Sequence, residues 1–118
     1  MEKLQQAAFA IISIVGEAKT GYMKAISLAK EGKNQEAQEE IRKGNQTLAK
    51  AHHEHFEFVQ KEASGEKVEY SVLFMHAEDQ LLTAEVFRDM AVEFLNVYEE
   101  LNKLMYTKGI GSCRKSGL

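Results

Sequence analysis

Not one proline interrupts the 118 residues of this chain, so the residue that most strongly breaks a helix is missing and only glycine is left to punctuate. Two internal clusters do so. The first, Glu31-Gly32-Lys33-Asn34, offers a glycine to close one helix and an asparagine to cap the next, with Glu36 near the positive end of the new dipole. The second, Ser64-Gly65-Glu66-Lys67, leads through an extended Val68-Glu69-Tyr70 link to Ser71, a second N-cap residue. Helices are expected over about residues 3 to 31, 35 to 63 and 72 to 105, each roughly 40 to 50 Å long. Short links make neighbours antiparallel, so the expected fold is all-α, an up-down-up three-helix bundle over residues 1–106. Residues 107–118 hold three glycines and no apolar periodicity, and are read as a flexible tail.

The length suits one domain, and 44% apolar with 28% charged residues is the balance of a globular protein. A net charge of −3, with no basic run interleaved with aromatics, argues against nucleic acid as a partner. Cys113 is the lone cysteine, which excludes an internal disulfide and suits a reducing cytoplasm. The apolar stretch Ala7 to Val15 falls far short of the ~20 residues that span a bilayer. Its leader carries no net basic charge and its pattern continues amphipathically, so it reads as the start of a core helix.

Helix three carries two apolar stripes. One runs Leu73, Ala77, Gln80, Ala84, Phe87, Ala91, Phe94, Tyr98, Leu101, Met105; the other runs Val72, Met75, Asp79, Leu82, Val86, Met90, Val97, Leu104, with Glu93 interrupting. A helix apolar over so wide an arc needs cover on two sides, and the simplest second cover is another copy of the chain. A homo-oligomer is expected.

Three residues in this helix invite chemistry. His76 lies at the edge between the stripes, where an imidazole lone pair is nucleophilic near neutral pH; the bland alternative is a partly buried histidine satisfied by a backbone carbonyl. Gln80, one turn on, either hydrogen-bonds what His76 carries or fixes register as a polar interruption. Asp79 occupies a position where an apolar side chain would stabilise more. Self-association would gather equivalent carboxylates at an axis, which calls for a shared cation, retained protons or a basic neighbour; the alternative is a carboxylate turned outward or paired. In helix two, His52 and His55 have a spacing that suits a metal, but two further ligands are lacking, and surface or interface histidines, His53 included, are the default. No phosphate-cradling glycine loop, Gly-x-Ser-x-Gly or His-Glu-x-x-His occurs.

From about Phe9 to Lys103 the chain resembles the enzyme IIA component of the lactose/cellobiose (chitobiose) class of the bacterial phosphoenolpyruvate-dependent sugar phosphotransferase system. The carrying segments are Ala51-His52, Glu62-Ala63-Ser64-Gly65-Glu66, Tyr70-Ser71-Val72 and Met75-His76-Ala77-Glu78-Asp79-Gln80-Leu81. The resemblance implies a cytoplasmic homotrimer of three-helix bundles. It implies that His76 is phosphorylated by the phosphocarrier HPr and passes the group to a cysteine of the cognate IIB protein, and thence to sugar entering through the membrane component IIC. IIA itself binds no sugar. The resemblance also places Asp79 at the trimer axis with a divalent metal such as magnesium, and implies no organic cofactor.

Two departures stand out against the family pattern His-(Gly/Ala)-Gln-Asp-His. Glu78 replaces glutamine, setting a negative charge near the reacting group unless it turns away or is paired. Gln80 replaces the second histidine; it can donate a hydrogen bond to a phosphoryl oxygen but offers no positive charge. These substitutions motivate an alternative reading, a trimeric helical interaction or regulatory module with weak or no phosphoryl transfer.

Overall fold

A computed structural model describes residues 2–107 and Gly109. Three helices account for nearly all of it, with no strand among the described residues: α1, Lys3–Lys30; α2, Asn34–Ala63; and α3, Val72–Thr107. Each boundary lies within two residues of the sequence expectation. The remainder of the expected tail beyond Thr107, Cys113 included, lies outside the described residues apart from Gly109.

Both glycine punctuation marks act as expected. Gly32 has a φ of 84°, and the N–H of Lys33 reaches back to the carbonyl of Leu28 at 2.9 Å while that of Gly32 reaches Ala29 at 3.0 Å. Gly65, at φ 94°, closes α2 in the same way: Glu66 N–H bonds Lys61 O at 3.0 Å and Gly65 N–H bonds Glu62 O at 3.1 Å. Only a residue without Cβ takes this left-handed conformation cheaply, and the paired bonds satisfy carbonyls that the helix end would leave bare. Ser71 caps α3, its Oγ accepting the N–H of Phe74 at 3.1 Å. Asn34 does not cap α2. It is the first helical residue, the capping position falls to Lys33, and no side chain bonds the first-turn amides there.

Cross-helix contacts fix the directions. Tyr22 meets Asn45 and Lys24 meets Glu40, so α1 and α2 run antiparallel. His52 meets Glu85 and His55 meets Glu78, so α2 and α3 do too. Lys19 lies over the Phe87 ring and the Asn102 amide bonds the Ala29 carbonyl, which makes α1 and α3 parallel. This is the expected up-down-up bundle. It is a thin rod of 62 × 23 × 18 Å in which α1 packs extensively on both partners, while α2 and α3 meet at fewer positions. The segment Ala7 to Val15 contributes Ala7, Ala8, Ile11 and Val15 to the core.

The tightest point lies between α1 and α2. Tyr22 is wholly buried, its hydroxyl donates to Asn45 Oδ1 at 2.7 Å, and burial pushes the phenol pKa above its ordinary value. Its ring packs directly against Gly44, where an added Cβ would come within 2.6 Å of Cε1. Gly44→Ala should therefore lower stability by about 1–2 kcal/mol, because overpacking beside a pinned ring outweighs the gain in helix propensity. Chemical denaturation followed by circular dichroism measures it, and an unchanged or raised midpoint would show that the ring can move aside.

Candidate functional site

Capping sets the start of α3, and the first two turns after Ser71 carry the candidate site. Phe74, whose amide is the one capped, is buried, with the Phe58 ring edge-on at 5.1 Å. The His55 imidazole stacks on the same ring, 5.9 Å between centroids with planes 20° apart. These contacts fix both the rotation of α3 and its register against α2.

That rotation decides which way the reactive residues face. Ala77, Leu81, Ala84, Ala91 and Leu95 turn inward. His76 is exposed, and no hydrogen bond, ion pair or ring contact engages it among the described residues. The partly buried, carbonyl-satisfied histidine is thus not what the chain builds. Asp79 is also exposed, its carboxylate without a salt bridge among the described residues, while its backbone carbonyl accepts from Thr83 Oγ1 at 2.8 Å. Gln80 is half-buried one turn beyond His76, some 40° around the helix toward α1. His76 and Gln80 therefore share a flank, and Asp79 sits on the outer face.

The second stripe is bare. Val72, Met75, Leu82, Val86, Met90, Val97 and Leu104 are each more than half exposed. His76 and Asp79, read from the sequence as at the edge of and within an apolar stripe, stand at the edge of and within a face that the single chain leaves in water. No cluster of three or more His, Cys, Asp or Glu able to hold a metal occurs among the described residues, and the His52/His55 pair gathers no further ligand.

The histidines of α2 have a different use. His55 Nε2 lies 2.6 Å from Glu78 Oε2, and His52 Nε2 lies 2.8 Å from Glu85 Oε1. Two imidazole–carboxylate rungs thus tie the sparsely packed α2–α3 seam. Glu78, one of the two residues that depart from the family pattern, lies on the α2 flank, about 200° around α3 from His76. Sequence reasoning left the role of these histidines open and overlooked Glu85. The available signal was chemical complementarity: two histidines one turn apart on one helix, and two glutamates two turns apart on a single flank of its antiparallel neighbour. His53 is exposed.

The chain matches the sequence profile described as "PTS system, Lactose/Cellobiose specific IIA subunit" over residues 6–99. It is 38% identical to the lichenan-specific phosphotransferase enzyme IIA component of Bacillus subtilis (strain 168), an alignment covering 86% of this chain and 93% of that protein. It is 32% identical to the lactose-specific EIIA component of Staphylococcus aureus (strain N315), over 83% and 95% of the two. Among solved structures, the cellobiose-specific enzyme IIA from Bacillus anthracis superposes with a TM-score of 0.81 at 40% identity, covering 86% of this chain and 93% of that one. PtcA from S. mutans gives 0.79 at 32% identity, covering 84% and 99%.

The cap that begins α3 makes a local prediction. Ser71→Ala should cost about 1 kcal/mol and fray the first turn, speeding amide exchange at Phe74 and Met75 by several-fold while amides beyond Ala84 stay unchanged. Uniform exchange along α3 in the variant would show that Phe74 packing alone sets the helix start.

Proposed function

The chain belongs to the lactose/cellobiose-specific IIA family of the phosphotransferase system, and on that footing we propose that it is a phosphohistidine carrier with His76 as the phosphoryl acceptor. The observation that carries this is the exposed and unengaged imidazole of His76, in the first turns of a capped helix within the family-matched region. A group handed from one protein to another must be reachable from outside.

In the proposed reaction, a ring nitrogen of His76 attacks the phosphorus of phosphohistidine on HPr, in line. The old P–N bond breaks, its electron pair stays on the departing HPr imidazole, and a new P–N bond forms on His76. The cysteine thiolate of IIB then attacks the same phosphorus, giving a P–S bond and free His76, and the group goes on to sugar through IIC. The first step exchanges one P–N bond for another and the second a P–N for a P–S bond, both near balance, so positioning and hydrogen bonds to the phosphoryl oxygens contribute more than a base. Gln80 would supply one such bond from its amide N–H. The pairing of Glu78 with His55 weighs against the interaction-only alternative, since it turns away the charge that motivated it.

The wet stripe on α3 supports self-association with the stripe as the contact, and membership of the family supports a homotrimer in the cytoplasm. No helix among the described residues is long and apolar enough to cross a membrane. Asp79 lies within that stripe, so assembly would bring one carboxylate from each copy together. A single carboxylate per chain holds no divalent ion, whereas three hard oxygen donors at one axis suit one such as magnesium, which would offset their mutual repulsion. The sugar is of the lactose/cellobiose type, and its identity rests with IIB and IIC.

Three outcomes check this. Incubation with phosphoenolpyruvate, enzyme I and HPr should add the mass of one phosphate to the chain, and His76→Ala should lose it entirely while keeping its helicity. Gln80→His should speed transfer, by about two- to tenfold for one added charge-assisted hydrogen bond; an unchanged rate removes position 80 from the reaction. In sedimentation, Asp79→Leu should hold the trimer more tightly than wild type, because it exchanges a repelling cluster for apolar contact, and should be indifferent to chelator. A variant that dissociates would show the carboxylates to be essential to assembly.

A further inference from the structure

We propose that His55 is a positioning residue for phosphoryl transfer: its hydrogen bond to Glu78 holds that carboxylate on the α2 flank of α3, away from the face that carries His76. The inference rests on the phosphocarrier reading of His76 and adds to it a residue on a different helix.

Glu78 is two positions from the acceptor and half-exposed, and its side chain has three rotatable bonds. Released, it would sample the water around the first turns of α3, where a phosphoryl donor bearing close to two negative charges must approach. The structure restrains it. The 2.6 Å separation from His55 Nε2 is that of a strong hydrogen bond to a carboxylate, and the imidazole is oriented in turn by stacking on the buried Phe74 ring. Phe74 is fixed by the Ser71 cap and by the edge of Phe58. A chain of contacts therefore runs from the helix cap to the position of one charge.

The second rung supplies an internal control. His52 and Glu85 tie the same two helices at 2.8 Å, but Glu85 lies nearly two turns beyond Glu78 and nine residues from His76. Breaking either rung removes a tie between α2 and α3, and His55→Gln keeps the donor while giving up the imidazole that stacks on Phe74. Only breaking the first releases a carboxylate within one turn of the acceptor along the axis, free to swing from the α2 flank toward the outer face.

The test measures phosphorylation rates of the full chain as wild type, His55→Ala, His55→Gln, His55→Ala with Glu78→Gln, and His52→Ala. Two donors are used: phospho-HPr, and phosphoramidate, a small donor that needs no protein docking. His55→Ala should react about two- to fivefold more slowly at low ionic strength with both donors, and the deficit should shrink at high salt, as repulsion across roughly 10 Å of solvent is screened. Glu78→Gln in that background should restore the rate. His55→Gln, which keeps a donor near the same point, and His52→Ala should both match wild type. Circular dichroism verifies that every variant is folded.

A deficit that Glu78→Gln does not repair, or that salt does not alter, would reduce His55 to a structural tie; a wild-type rate in His55→Ala would remove the role altogether. Failure of the carrier reading looks different. The wild type would then take phosphate from phosphoramidate but none from phospho-HPr, and the phosphoramidate series would still decide the role of His55. Wild type inert to both donors would overturn both proposals.

Discussion

The bundle depends on methyl groups. Of the nineteen buried hydrophobic residues among the described residues, ten are alanines, and they line all three helices: Ala8, Ala18 and Ala25 on α1, Ala37 and Ala51 on α2, Ala77, Ala84 and Ala91 on α3. Small facing side chains let helix axes approach toward the short end of the 8–10 Å range, and alanine is also the best helix former, so local and tertiary preferences agree. Each alanine buries little area, however. Cohesion must then come from length and from a few large anchors, and the largest fully buried side chains are Tyr22, Ile11, Leu48 and Val15. Long helices and a slender cross-section follow from the same choice of residue.

That slenderness shapes the site. In a rod three helices thick the clefts among the described residues open at the surface, so a reactive group stands on a surface and is aimed by the helix beneath it. His76 is aimed in this way. Its direction is set by the Ser71 cap, by Phe74 locked among Phe58 and His55, and by the inward turn of Ala77 and Leu81. An acceptor on a rigid helix loses little conformational freedom when a partner arrives, and the precision that a loop would have to acquire on binding is present beforehand.

The features legible in the sequence were those written within one helix or one turn. Gly32, Gly65 and Ser71 announced their turns and cap because the chemistry involves residues at most five apart. The two stripes of α3 were legible for the same reason, although periodicity alone could not say that the Asp79 stripe would lie in water in the single chain. Asn34 misled, since asparagine suits the capping position but the tight closure at Gly32 and Lys33 leaves α2 starting one residue early, at Asn34 itself. His55 and Glu78 illustrate the harder class. The sequence flagged Glu78 as a charge needing a partner, yet the partner lies 23 residues away on another helix, and which histidine meets it depends on a register that only the packed bundle defines.

The bare stripe on α3 has a thermal consequence. Heat-capacity change on unfolding follows the apolar area newly brought into water. Seven large side chains on that face are already wet in the single chain, so unfolding it exposes less new apolar surface than 118 residues would suggest, and its stability curve should be the flatter for it. The missing curvature belongs to whatever covers the stripe. Contact made by burying those side chains has a strongly negative heat-capacity change and fades on cooling, so chilling should loosen the grip between molecules well before it loosens the fold within one.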